Sequence, residues 1–211
     1  MTSETTRSNY DRLSRWYDLF SSSERRFTET GLRLLDPKPD EAILEIGFGT
    51  GHAIAALAQR AHVWGIDLSP GMLAVTEKNL RRARLLDRVT LQLADATRLP
   101  FPDGMFDAVF LSFTLELFPE DEIPLVLAEC RRALRPGGRL GVVALAKKEL
   151  RAVRVYEWFH AKLPQVVDCR PIHVEAILAA NRFEVRQVAE ASIWGLPAAA
   201  VVAVKSENQA K

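Results

Sequence analysis

Two cysteines in 211 residues, Cys130 and Cys169, are too few for a disulfide framework and have no zinc-ligand spacing. The four histidines, His52, His62, His160 and His173, are scattered, and no pair has a third donor at ligand spacing, so no metal site is expected. No apolar run approaches the roughly 18 residues of a membrane span. Met1 to Arg15 is polar and charged, without the apolar segment of a secretory leader. Neither charge sign dominates: 28 Lys+Arg stand against 27 Asp+Glu, a net charge of +1. That balance offers no general attraction to nucleic acid. No internal repeat or low-complexity block occurs. These absences lead us to expect a reduced, cytoplasmic protein with no membrane span and no nucleic-acid substrate. A peripheral membrane contact and the choice between monomer and homodimer stay open.

What the chain does contain is 48% apolar residues, enough for one sizeable core. From Glu41 to Ala146 short β-rich runs alternate with helical patterns, the signature of a parallel sheet flanked by helices. The pattern predicts strands near 42–46, 62–67, 89–94, 106–111 and 139–145. Helices are predicted near 51–60, 70–84 and 121–135, the last ended by Pro136-Gly137-Gly138. Two further strands are expected over Glu184–Ala189 and Ala198–Lys205, linked through Trp194-Gly195-Leu196-Pro197.

Two segments fall outside this alternation. Asn9 to Leu35 carries Tyr10, Leu13, Trp16, Tyr17, Leu19 and Phe20 at helical spacing, with a second helical stretch from Glu24. Between the fifth strand and the next helix, Val155, Trp158, Phe159 and Leu163 mark an amphipathic helix within Lys147 to Pro171. Ligands in open α/β sheets sit outside the carboxyl ends of the strands, so both segments are expected to cover a site there.

The densest motif is Ile43-Leu44-Glu45-Ile46-Gly47-Phe48-Gly49-Thr50-Gly51, a strand that ends on an acid and turns through three alternate glycines. A dinucleotide fingerprint would need a small residue three places after its second glycine. The two possible registers put His52 and Ile54 there, which disfavours a nicotinamide cofactor. A second strand ends in Asp67, about 20 residues past the first glycine, where a carboxylate can accept both ribose hydroxyls. Leu93-Ala94-Asp95-Ala96, Phe106 to Ser112 and Leu134 to Leu140 follow in order.

The E-x-G-x-G-x-G motif and this ordered series, over roughly residues 42 to 145, resemble the class I S-adenosylmethionine-dependent methyltransferases. Within them, Tyr17-Asp18, Leu93 to Phe101 and Ser112-Phe113 are similar to the ubiquinone/menaquinone biosynthesis and type 11 group. The resemblance implies an α/β, Rossmann-like sheet of seven strands. It would be mostly parallel, with the last strand antiparallel beside the fifth, helices on both faces and an N-terminal helical lid. A single domain is expected over 1–211: lid at 1–38, cofactor core at 40–146, substrate-side insertion at 147–173, and a helix and strands at 174–205.

The resemblance also implies the contacts of the cofactor, S-adenosylmethionine. Glu45, Gly47, Gly49 and Gly51 would lie beside its methionine end. Asp67 would bind the ribose, with Leu68, Met72, Asp95 and Ala96 about the adenine. Tyr17 would complete the site, and the backbone carbonyls of Leu111 and Ser112 would face the sulfonium. Glu116, His160 and Asp18 are the candidates for a catalytic base, should the acceptor carry a proton to remove.

The turn after strand four lacks the Asn/Asp-Pro-Pro-aromatic signature of nucleic-acid base aminomethylation. It also lacks the paired glutamates of arginine methylation and the Pro-Cys of cytosine C5 methylation. A small-molecule acceptor is therefore expected: quinol- or phenol-like, lipid or amine. Thr114-Leu115-Glu116-Leu117 replaces the Gly-Leu/Ile-Arg-Asn of quinol C-methylating members. That exchange would reverse the charge near the acceptor and favour an amine. A non-catalytic subunit or regulator that binds S-adenosylmethionine is the alternative.

Overall fold

A computed structural model of the chain describes residues 22–148, 169–193 and 195–206. Seven strands form one sheet: β1 (Ala42–Ile46), β2 (His62–Asp67), β3 (Val89–Leu93), β4 (Phe106–Ser112), β5 (Leu134–Leu145), β6 (Phe183–Ile193) and β7 (Leu196–Lys205). Their order is β3-β2-β1-β4-β5-β7-β6. The first five pair in parallel, and β7 runs antiparallel between β5 and β6. The seven-stranded fold expected from the motifs is the one observed.

Helices cover both faces, which is why the central strands read as near-continuous apolar runs. Successive strand residues point to opposite sides. Leu44, Ile46, Val109 and Leu111 pack under α4 (Ile123–Ala133) and α5 (Val174–Ala180) through Val126, Leu127 and Leu178. Ile43, Val63, Phe110 and Val143 face the other way, against α1 (Ser22–Leu35), α2 (His52–Ala58) and α3 (Pro70–Ala83). Phe27, Leu32 and Leu35 seat α1 on the sheet, with Gly31 at the closest approach.

Element boundaries differ from the sequence expectation where tertiary pairing competes with local pattern. The helix expected over 121–135 stops at Ala133, because Leu134 already pairs with Phe106 and takes an extended backbone (φ −74°, ψ 135°). Pro136 also disfavours helical geometry at Arg135. The fifth strand accordingly begins at Leu134 and not near 139. The last two strands are longer than expected: Ile193 pairs with Leu196, so the linker narrows to a tight hairpin at Gly195 (φ 79°). The residues of both expected covering segments lie partly outside the described residues: 1–21 of the first and 149–168 of the second.

The end of the sheet away from the site is tied by Arg139. Its guanidinium donates to both carboxylate oxygens of Glu41, at 2.9 and 2.7 Å, and its Nε donates to the Leu35 carbonyl at 3.0 Å. Burial pushes the Glu41 carboxyl up, but the Arg139 bonds and the Lys38 amide outweigh it and hold the group below its ordinary value. This contribution is present at neutral pH and is lost as the pH falls through the carboxylate range. Arg139→Met should cost about 3 kcal/mol, because it leaves a buried carboxylate without its cation. Urea unfolding at pH 7 checks this, and the difference from wild type should shrink at pH 3.

Candidate functional site

The strand order reverses at β1 and β4, and the carboxyl ends there open a crevice, the usual ligand position in such sheets. A cleft of about 240 Å³ occupies it. Its lining includes Glu45, Gly47, Gly49, Asp67, Leu68, Met72, Asp95, Ala96 and Ser112. Gly51 and Leu111 stand behind the lining. Leu111 is fully buried, and Gly51 caps α2 with a left-handed backbone (φ 85°). Tyr17, Asp18 and His160 lie outside the described residues.

The three glycines divide their work. All have positive φ (74°, 49° and 85°), which side chains seldom adopt. A Cβ at Gly47 would fall 2.4 Å from the Thr114 methyl, and one at Gly51 2.7 Å from that of Thr76. Those two glycines let neighbouring side chains close on the loop. A Cβ at Gly49 would meet nothing within 4 Å, so its backbone borders open cleft. Gly49→Val should therefore weaken cofactor binding at least tenfold, while thermal unfolding registers only the left-handed strain of about 1–2 kcal/mol.

Asp67 binds the loop to the second strand. Its Oδ2 accepts from the Gly49 amide at 3.0 Å and its Oδ1 from the Ser69 amide at 2.9 Å. Ser69 in turn caps α3 by accepting from the Met72 amide at 3.2 Å, and Pro70 opens the helix. Asp95 shapes its own turn: Oδ1 accepts from the amide and the hydroxyl of Thr97, both at 2.8 Å. The connection behind it is fixed to α4 by Arg132, which bonds Glu129, Asp103 and the carbonyls of Leu99 and Phe101.

Glu45, next to last in β1, fronts the cleft at 2% exposure, and its Oε2 has no hydrogen-bond partner among the described residues. Burial raises its carboxyl well above the ordinary range, and the charge of Asp67 raises it further. A buried carboxyl oxygen with no donor suits a positively charged ligand group. With Gly49 open beside it and Asp67 beyond, these residues fit an amino acid joined to a nucleoside.

Glu116 stands elsewhere than expected. It is 1% exposed, outside the cleft lining, and its Oε1 accepts from the Leu145 amide at 3.2 Å. The short helical turn Leu115–Leu117 carries it inward against the end of β5. Among the described residues, Glu116 thus faces the protein interior rather than the cleft.

Sequence reasoning missed the opposite wall. Glu24, Arg25 and Thr28 on α1 face the cleft, with Thr28 Oγ1 2.7 Å from Ser112 Oγ. Phe113, Leu117, Phe118 and Pro119 extend an apolar surface beyond β4, and Glu122 stands at its edge. Phe113 has a left-handed backbone (φ 51°), with its amide donating to Val143 O at 2.7 Å. His52 also lines the cleft. Burial depresses its imidazole and Arg25 depresses it further, while Glu29, 3.8 Å away, opposes both. The helical stretch from Glu24 was the one available signal for this wall. Among the described residues, no group of three or more His, Cys, Asp or Glu side chains could hold a metal ion. No described helix is long and apolar enough to cross a membrane.

Residues 43–138 match the family model described as a methyltransferase domain. The chain is 31% identical over 185 residues to a ubiquinone/menaquinone biosynthesis C-methyltransferase of Burkholderia multivorans, covering 80% of this chain and 72% of that one. It is 32% identical over 189 residues to the nocamycin O-methyltransferase of Saccharothrix syringae, covering 82% and 65%. Other curated relatives are spanned for 59% and 48% of their length. Among solved structures, magnesium protoporphyrin IX methyltransferase from Synechocystis, with bound S-adenosylhomocysteine, superposes with a TM-score of 0.79 at 18% identity, covering 97% of this chain and 100% of that one. At that identity the likeness concerns the fold.

Proposed function

Because the chain belongs to the class I S-adenosylmethionine-dependent methyltransferases, in the group similar to the quinone-biosynthesis enzymes, we propose that it transfers a methyl group from S-adenosylmethionine to a small-molecule acceptor. The observation that carries this reading is one continuous cleft with two different halves. Around β1 and β2 it holds the buried Glu45 carboxyl, the open Gly49 backbone and Asp67; past Ser112 it becomes apolar.

Glu45 would hold the methionine ammonium, Asp67 the ribose hydroxyls, and Asp95 with Ala96 the adenine. When bound, the cofactor supplies an electrophilic methyl on a sulfonium. Displacement at such a centre leaves a neutral thioether, so the protein's part is to align the acceptor and keep water out. The apolar wall of Phe113, Leu117 and Phe118 suits a ring or hydrocarbon body, and the Thr28 and Ser112 hydroxyls beside it can orient a polar substituent.

With Glu116 turned inward, the described wall past Ser112 brings forward one carboxylate, Glu122 at its edge. The apolar lining of Phe113, Leu117, Phe118 and Pro119 fits the ring of a quinol- or phenol-like acceptor. Glu116 acts here as a positioning residue for the turn, and Asp18 and His160 stay the base candidates from the sequence. Nothing in the site favours the non-catalytic alternative, since Glu45, Gly49, Asp67 and Asp95 all front the cleft.

Calorimetry with S-adenosylhomocysteine tests the cofactor half of this reading. Methyl-labelled S-adenosylmethionine, incubated with a panel of quinols, phenols, lipids and amines and followed by mass spectrometry, tests the acceptor half. Label in a phenolic or quinolic product is the expected result. Absence of S-adenosylhomocysteine binding would overturn the reading, and label confined to amines would move the acceptor class.

A further inference from the structure

The surroundings of Glu45 do not suit an anion. In the sheet it stands opposite Gly65 of β2 and Phe110 of β4, neither of which offers a side-chain donor. Its Oε2 is buried and accepts no hydrogen bond from the described residues. Asp67, at the end of the neighbouring strand, differs in that each of its oxygens accepts a backbone amide. Other charged or titratable groups share the cleft: Glu24 and Arg25 from α1, His52 from α2, Asp95 after β3 and Glu122 after β4. Glu116 lies behind the turn that follows Thr114. Of all these, Asp67 is the charge that weighs on Glu45, and it does so unfavourably. A carboxyl in such a place is neutral until a cation reaches it.

We propose that Glu45 carries a proton in the ligand-free protein and releases it to solvent when an ammonium-bearing ligand docks, so that the cleft selects the amino-acid end of its cofactor by exchanging a proton for a cation. No covalent bond other than the carboxyl O–H changes. The proton goes to buffer, and the carboxylate left behind pairs with the incoming ammonium. This inference rests on the cofactor reading above and adds to it a proton stoichiometry. Affinity for S-adenosylhomocysteine should rise by up to about tenfold per pH unit wherever Glu45 is protonated in the free protein. 5′-Methylthioadenosine, which has the nucleoside and thioether but no amino acid, should bind without displacing the proton.

Calorimetric titration of the full chain at pH 7 in phosphate and in Tris, whose ionisation enthalpies differ, counts the protons. About one released per S-adenosylhomocysteine and none per 5′-methylthioadenosine is expected. In E45Q the release should vanish and the affinity should become flat with pH. Infrared difference spectra of the wild type give the same answer without a variant, since the stretch of a protonated carboxyl should disappear when S-adenosylhomocysteine is added. Binding without proton release, release of equal size in E45Q, or no carboxyl band lost would each overturn the proposal. Failure of S-adenosylhomocysteine to bind at all would instead overturn the cofactor reading beneath it.

Discussion

Asp67→Ala is expected to weaken S-adenosylhomocysteine binding by roughly 30-fold or more, since each charge-assisted hydrogen bond to a ribose hydroxyl contributes about 1.5–3 kcal/mol. Part of that loss comes through the protein itself. The carboxylate holds the Gly49 amide on one side and the Ser69 amide on the other, and its removal takes away one tie between the glycine loop and the end of β2, leaving the Gly47 amide on the Ile66 carbonyl. Asp67→Asn separates the two effects: it keeps an oxygen for one amide while removing the charge, so an intermediate loss is expected. The fold should survive both changes, because Asp67 lies at a strand end, half-buried, outside the two apolar cores. Calorimetry for affinity and urea unfolding for stability are the measurements. An unchanged affinity in Asp67→Ala would remove the residue from the ribose site.

Gly31→Val should strongly destabilise the protein, although it only adds three carbons to a helix. Even the first of these, a Cβ, would lie 2.3 Å from the Val143 Cγ2 and 3.3 Å from the Phe110 ring. Both neighbours are fully buried, so neither can swing aside and α1 must lift from the sheet. Overpacking of this kind costs about 1–3 kcal/mol, and a branched side chain falls at the upper end. For a chain of this size that corresponds to a drop in Tm of roughly 6–10 °C. The same displacement would carry Thr28 away from Ser112, and Arg25 and Glu24 away from their places on the cleft. Cofactor affinity should therefore fall severalfold at temperatures where the variant is still folded. A variant as stable as wild type would show that α1 is not seated as closely as its packing indicates.

Much of the core was legible because its signals are local. A strand with Glu45 next to its end, three alternate glycines, Ser69-Pro70 at a helix start and an acid at the end of β2 each dictate backbone geometry within a few residues, and each lies where expected. The start of β5 was misjudged by five residues, because pairing of Leu134 with Phe106 is invisible in the pattern of either segment. Glu116 lies away from the cleft lining for a related reason: proximity to the end of β4 in sequence does not say which way a short helical turn faces. One partner that holds it inward, the Leu145 amide, is 29 residues away.

Dihedral preferences and apolar period are enough to place the order of elements, the glycine turn and the acids near the ends of β1 and β2. How those parts share the work follows from the closed fold. It assigned Gly47 and Gly51 to packing against Thr114 and Thr76, and left Gly49 to border the cleft. It made α1 a wall of the site through Thr28 and Ser112, which lie 84 residues apart. It also buried one carboxylate, Glu116, against a strand end while leaving another, Glu45, in the cleft with a bare oxygen. Contacts of that range follow from how layers close on one another, and a carboxyl group's chemistry is set by the neighbours such closure brings to it.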